Sequence, residues 1–168
     1  MMTMIVGAIS DTHDNLPAVE RAVDRLNMEG VDLVLHAGDY VAPFVIPKFK
    51  LLKCKLVGVF GNNDGDHELL KKRFSETSNC EIRGRFADII AGGLRIALLH
   101  GDDADLLNAL INCNWFDVVV YGHAHTLGVR RQGKTLVVNP GEVCGYLTGK
   151  STMALIDVEK RAARTVEI

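Results

Sequence analysis

With 168 residues and a formal net charge of −2, the chain is long enough for one continuous core, and it carries no excess charge to draw it to nucleic acid or an anionic membrane surface. Hydrophobic residues make up 48% of it and charged residues 24%, as in a globular protein, and no apolar run approaches the span of a bilayer. The opening Met1-Met2-Thr3-Met4 is not the basic start of an export signal, so a cytoplasmic protein is expected.

The apolar run Ile5 to Ile9, with Gly7 and Ala8 at its centre, predicts the buried first strand of an α/β sheet. It breaks off in Asp11 and His13. On an extended backbone, side chains two apart point the same way, so both could reach one ion. The plain alternative is a turn closed by an Asx hydrogen bond. Asn15 or Asp14 can cap the following helix, with Pro17 in its first turn and Gly30 at its end. Val19, Ala22, Val23, Leu26 and Met28 give that helix an apolar stripe. A second strand, 31–36, leads into Gly38-Asp39. A short helix is expected over 43–52, and a third strand over 55–60 ends in Gly61-Asn62-Asn63-Asp64-Gly65. Asp66 caps a helix through about Phe74, and 75–79 reads as a loop.

Consecutive strands then replace the β-α alternation. Residues 86–90 and 94–99 flank Gly92-Gly93, a hairpin signal, and the second run ends in His100-Gly101-Asp102. A helix covers about 104–112. The strand 115–121 ends in Gly122-His123-Ala124-His125. A hairpin, 128–131 with 135–138, precedes Asn139-Pro140-Gly141, and two strands, 153–158 and 164–168, close the chain. With no repeat or linker, one domain over 1–168 is expected, an α/β fold of two sheets packed face to face with helices outside. Cys54, Cys80, Cys113 and Cys144 form no C-x-x-C pair, so reduced, mostly buried thiols are expected. Cys144 lies nearest the chemistry.

The chemistry-bearing residues stand at strand ends, where open α/β sheets bind ligands: Asp11 and His13, Asp39, Asn62, His100, and His123 with His125. Any one of these histidines could be an ordinary hydrogen-bonded core residue; random placement does not put all seven residues at strand ends. Oxygen and imidazole donors without thiolate suit Mn²⁺, Fe, Zn²⁺ or Ni²⁺ better than Ca²⁺. Seven ligands exceed one tetrahedral site and suit two ions about 3.5–4 Å apart sharing a carboxylate, for which Asp39 is the natural bridge. Two divalent ions, two aspartates and a bridging hydroxide leave a single positive charge, which matches a phosphodiester monoanion.

The blocks Asp11-x-His13, Gly38-Asp39, Gly61-Asn62-x-Asp64, His100-Gly101 and Gly122-His123-x-His125 resemble the calcineurin-like metallophosphoesterase superfamily, in its order and across most of the chain. The small size, Gly61-Asn62-Asn63-Asp64 and the stretch from Asn139 to Gly149 look like its short prokaryotic phosphodiesterases of the YfcE/MJ0936 type. The resemblance implies a four-layer αββα sandwich with a dinuclear centre. It assigns Asp11, His13, Asp39 and His125 to one ion, and Asp39, Asn62, His100 and His123 to the other. Many members carry a histidine where this chain has Asn63, and that histidine helps bind phosphate and protonates the leaving group. An amide can donate a hydrogen bond but is no general acid. His67 is the candidate substitute, although an exposed place in the first helical turn explains it more simply.

The expected function is a metal-dependent phosphodiesterase, a phosphoric diester hydrolase using a metal-bridged hydroxide and two ions, Mn²⁺ first among them. Asn63, Asp64 and His100 are its expected catalytic residues. Asp64 is expected to orient a neighbouring group, and Asn139 and Gly141 to shape the rim. The expected partner is a small phosphodiester, with no membrane and no clear nucleic-acid surface. Val41, Phe44, Val45 and Ile46 are either an exposed patch for a homodimer or core. Two alternatives stand beside this reading. One is a phosphomonoesterase, disfavoured because the site loops lack cationic side chains; Arg130 and Arg131 read as an exposed hairpin face. The other is a non-catalytic scaffold like the retromer-subunit branch of the same fold, whose metal-site residues are incomplete.

Overall fold

The computed structural model describes residues 3–168, so the N-terminal reading at Met1 and Met2 lies outside the described residues. In chain order the strands are β1 (Ile5–Ile9), β2 (Leu33–His36), β3 (Lys55–Gly58), β4 (Cys80–Ile82), β5 (Phe86–Ala91), β6 (Leu94–Leu99), β7 (Val118–Val120), β8 (Gly128–Gln132), β9 (Thr135–Asn139), β10 (Thr152–Asp157) and β11 (Ala162–Glu167). The helices are α1 (Leu16–Glu29), α2 (His67–Glu76) and α3 (Ala104–Asn112), with a 3₁₀ segment at Pro43–Leu51. One sheet has the order β11-β10-β1-β2-β3-β4 and the other β5-β6-β7-β9-β8. β1 to β4 run parallel, as do β6, β7 and β9. Parallel neighbours bring strand ends to one edge, and both sheets use that edge for the site.

Three hydrophobic layers hold the sandwich together. Val6 and Ala8 of β1 face Ile96, Leu98, Val118 and Val138 of the other sheet. Ile9 of β1 faces the opposite way, into a layer with Val19, Val23 and Leu26 of α1 and Phe49 of the 3₁₀ segment. The period of two in β1 therefore divides its side chains between two cores. Ile111 of α3 joins Leu99, Phe116 and Val119 in the third layer. Gly7 lies on the α1 side, where a Cβ would stand 2.5 Å from Leu26 Cδ2. The glycine admits the helix; its conformational freedom is not what this position uses.

The helix starts follow the caps. Asn15 accepts from Ala18 N, Asp66 from Leu69 N and Asp103 from Leu106 N, and Gly30 closes α1 in the left-handed region. Two expectations change, and one left open is decided. Residues 43–51 wind as a 3₁₀ helix with Pro47 inside, where proline brings no backbone donor. β4 was not expected: Cys-Glu-Ile is too short to show a period, and its pairing with β3 makes it a strand. Of the four residues expected as patch or core, Val45 and Ile46 are core and Phe44 is exposed. Among the described residues no helix is long and apolar enough to cross a membrane.

Gly7→Val should destabilise the protein by about 1–3 kcal/mol through overpacking against Leu26. A lowered urea midpoint at unchanged slope checks this; an unchanged midpoint would show that α1 can move away from β1.

Candidate metal centre

The site begins with backbone that leaves the strand conformation. Asp11, His13 and Asp39 have φ of 55°, 39° and 63°, and His123 and His125 have 63° and 55°. Non-glycine residues in this region cost of order 1–3 kcal/mol each and persist only when surroundings fix them. This corrects the extended-backbone expectation: Asp11 and His13 do converge, but through a left-handed turn. His13 N donates to Asp39 O at 3.1 Å and Asp11 N to Gly38 O at 3.0 Å, so the loops after β1 and β2 hold each other.

Asp39 lies at the centre. Its Oδ2 is 3.3 Å from both His13 Nε2 and His100 Nε2. Asn63 donates to the same carboxylate twice, from its backbone N at 2.9 Å and its Nδ2 at 2.8 Å. Behind it, buried Asp64 accepts from the backbone N–H groups of Asp39, Gly61 and Val41, at 3.0, 2.7 and 2.8 Å. A Cβ on Gly61 would overlap the Asp39 carboxylate, so glycine is required at this approach. Asp11 forms the second centre. Its Oδ1 is 3.3 Å from His125 Nε2 and 3.6 Å from His13 Nε2, while its Oδ2 accepts from Ser10 Oγ and His123 N. On the other flank, His123 Nδ1 meets Asn62 Oδ1 at 3.1 Å and the His100 and His123 rings lie 5.2 Å apart. All seven expected ligand residues are thus linked by direct contacts.

Asp11, His13 and His125 offer ligand atoms within 4.8 Å of one another, as do Asp11, Asp39 and His100. Asp11 Oδ1, His13 Nε2 and His100 Nε2 are buried and have no hydrogen-bond partner among the described residues. Buried polar atoms are normally paired. Three unpaired ones aimed into one carboxylate-rich volume suit the binding of a metal cation.

The charges respond to each other. The carboxylates of Asp11 and Asp39 beside His13 raise its pKa to about 9, against burial. Burial pushes Asp39 up, but the His100 and His13 imidazoles beside it outweigh this and hold the carboxyl far below its usual range. For His100 burial favours the neutral ring, and the Asp39 carboxylate with the other nearby charges still leaves the pKa raised. Asp64 is raised, burial outweighing its three backbone donors.

His36 and Glu142 escaped the sequence reading. His36 is fully buried, which takes its pKa down to about 3, and its Nδ1 accepts from Gly38 N at 3.0 Å. It is a neutral prop under the Gly38-Asp39 turn, and the strand-end position that marked the ligands could have flagged it. Glu142 is fully buried and its Oε2 meets His125 Nδ1. Its place in the Asn139–Gly149 stretch was the only signal. His67 is not simply exposed: its ring stacks on Phe60 at 4.0 Å. Arg130 and Arg131 are exposed as expected, and Cys144 is buried with its thiol on Glu142. Asn139 and Gly141 are buried, Asn139 Nδ2 donating to Gly122 O and its Oδ1 accepting from Gly141 N. A cavity of about 220 Å³ adjoins His100, lined by Arg85, Phe86, Asp102 and Leu106. A larger one, about 300 Å³, lies at Ile5, at the opposite end of β1.

The family model for the calcineurin-like phosphoesterase superfamily domain matches residues 4–161. The chain belongs to that superfamily. It is 37% identical over 163 residues to phosphodiesterase MJ0936 of Methanocaldococcus jannaschii, covering 97% of this chain and 98% of that protein. It is 27% identical over 149 residues to phosphodiesterase YfcE of Escherichia coli K12, covering 80% and 76%. A solved archaeal phosphodiesterase, 37% identical, superposes with a TM-score of 0.93 over 98% of this chain and all of that one (100%). Vacuolar protein sorting 29 from Cryptosporidium parvum, 20% identical, gives a TM-score of 0.70 over 100% and 98%, which shows a shared fold. The four-layer sandwich is that of these metallophosphoesterases.

For this superfamily member, metal binding should release protons. His13, with its pKa near 9, is cationic at neutral pH in the metal-free protein and must become neutral to bind metal. Apparent affinity should therefore rise with pH until the pH passes that value. The same group stabilises the metal-free fold below its unfolded value of 6.5, and that contribution is lost as pH climbs through about 9. Calorimetric titration with Mn²⁺ in buffers of different ionisation enthalpy counts the protons. None released would mean that His13 does not change its protonation on binding.

Proposed function

We propose that this metallophosphoesterase is a metal-dependent phosphodiesterase with two divalent ions, Mn²⁺ first among them and Ni²⁺, Fe or Zn²⁺ as substitutes. The observation that carries the reading is the set of three unpaired buried ligand atoms in one volume, one carboxylate oxygen and two imidazole nitrogens. The contacts favour Asp11, His13, Asp39 and His125 for one ion and Asp39, Asn62, His100 and His123 for the other. Bound there, divalent ions supply Lewis acidity to the phosphoryl oxygens and lower the pKa of water. The relatives carry the name phosphodiesterase, and a diester monoanion matches the single positive charge that two divalent ions, two aspartates and a hydroxide would leave. A single domain over 1–168, a cytoplasmic setting suited to its free thiols, and a homodimer through exposed Phe44 and Leu51 belong to the same proposal.

The chain's own residues have definable tasks. His100 donates Nδ1–H to Ala37 O at 2.7 Å, which turns its Nε2 lone pair to the centre. Asp64 fixes the Asp39 backbone, and Asn63 holds the Asp39 carboxylate. In hydrolysis, oxygen from water forms a bond to phosphorus, and the bond to the leaving oxygen breaks with its electron pair. That oxygen then takes up a proton. Asn63 offers only a hydrogen bond, so the leaving group must carry much of the charge.

Two outcomes follow. Chelator-treated protein should lose diesterase activity and regain it fully only at two ions per chain by elemental analysis; full activity at one would end the dinuclear reading. The rate should fall steeply with leaving-group pKa across a Brønsted series of diesters. Asn63→His should recover part of the loss for alkyl esters, out of the 10²–10⁴-fold that general acids supply (roughly 3–5 kcal/mol), and change aryl turnover little. A flat series would mean that another group already gives the proton.

A further inference from the structure

Glu142 is a carboxylate with no exposed surface, and every polar group around it is a donor. Leu147 N donates to Oε1 at 3.0 Å, Thr148 N at 2.6 Å and Thr148 Oγ1 at 2.8 Å. Cys144 Sγ donates to Oε2 at 3.3 Å, and His125 Nδ1 meets the same oxygen. A carboxyl group so surrounded has nothing to donate to, so His125 Nδ1 must carry the hydrogen. The ring's other nitrogen, Nε2, then presents a bare lone pair toward Asp11 Oδ1, 3.3 Å away. The segment itself is tied to the end of β1: Val143 N donates to Ser10 O at 3.0 Å, Cys144 N to Asp11 O at 3.1 Å, and Asn15 Nδ2 to Cys144 O at 2.9 Å.

We propose that Glu142 is a positioning residue that fixes His125 in the Nδ1–H tautomer and aims its Nε2 at the metal centre. Carboxylate partners of this kind raise ligand basicity and lock ring orientation, and their loss typically costs about 10–100-fold in metal affinity. Without this brace His125, at a left-handed backbone position in an exposed loop, has nothing to choose its tautomer. The inference rests on the metal-centre reading above.

The experiment compares Mn²⁺ affinity in the full chain and two variants. Glu142→Gln keeps the volume but removes the charge, and should weaken binding about 10–100-fold and shift the visible spectrum of Co²⁺-substituted protein. Thr148→Val removes one loop anchor while leaving the His125 contact, and should lower thermal stability with affinity unchanged. Equal losses in both variants would show that Glu142 acts only by holding the loop, and overturn the proposal. So would an unchanged affinity in Glu142→Gln. If that variant does not fold, ¹⁵N signals of His125 in the metal-free wild-type protein at alkaline pH decide: Nδ1–H supports the proposal, Nε2–H overturns it. Wild-type protein that binds no Mn²⁺ would sink the metal-centre reading itself, a result separate from a failure of Glu142 alone.

Discussion

Two buried aspartates that face each other set the terms for the rest of the molecule. Asp11 and Asp39 are both buried and offer ligand atoms within 4.8 Å of each other. Burying like charges together is costly unless hydrogen bonds or ions compensate. Much of the surrounding structure supplies that compensation: Ser10 and His123 N on Asp11, Asn63 on Asp39, and a shared imidazole in His13. What the protein does not supply is one more positive centre, and the unpaired Nε2 atoms stand around the place for it.

The fold serves this arrangement by docking two sheets whose parallel strands end at one edge. The loops after β1, β2 and β3 bring Asp11, Asp39 and Asn62; those after β6 and β7 bring His100, His123 and His125. The two sets touch directly, through His123 N on Asp11 and His100 Nδ1 on Ala37 O. Asn139 at the end of β9 adds a bond to Gly122 O, bracing the His123 turn from behind. Strained φ angles at five ligand-type residues persist because each loop is held by its neighbours. Since structures of related fold share as little as 18% of this sequence, the architecture alone does not decide chemistry; the side chains gathered on its edge do.

A third tier stands behind the ligand-type residues. Asp64 gathers three backbone N–H groups, His36 supports the Gly38 turn, and Glu142 joins His125 to the segment that carries Cys144 and Thr148. None of these three is exposed enough to touch a substrate freely. Each uses burial to make a hydrogen bond stronger and more directional than it would be in water. Asn63 bridges the tiers, exposed to solvent yet bonded to Asp39.

The sequence by itself determined the layers and pointed to the seven residues that meet at the sheet edge. Apolar runs ending in Asp, Asn or His, four of the five beside glycine, are local patterns, and local patterns are legible from one chain. Caps at Asn15 and Asp66 set two of the helix starts for the same reason. Tertiary structure alone decided how the residues meet. Asp11 and His13 converge by a left-handed turn because Gly38 O and Asp39 O accept their backbone hydrogens from a loop 27 and 26 residues away along the chain (38 − 11 and 39 − 13). β4 exists because β3 offers it an edge, and the 3₁₀ segment winds around a proline whose neighbours are buried against α1. Glu142 looked like any acidic residue in a loop; only the burial of its carboxylate against His125, 17 residues away (142 − 125), gives it a role. Contacts across such separations leave no period or motif in the chain, because they depend on where other loops end.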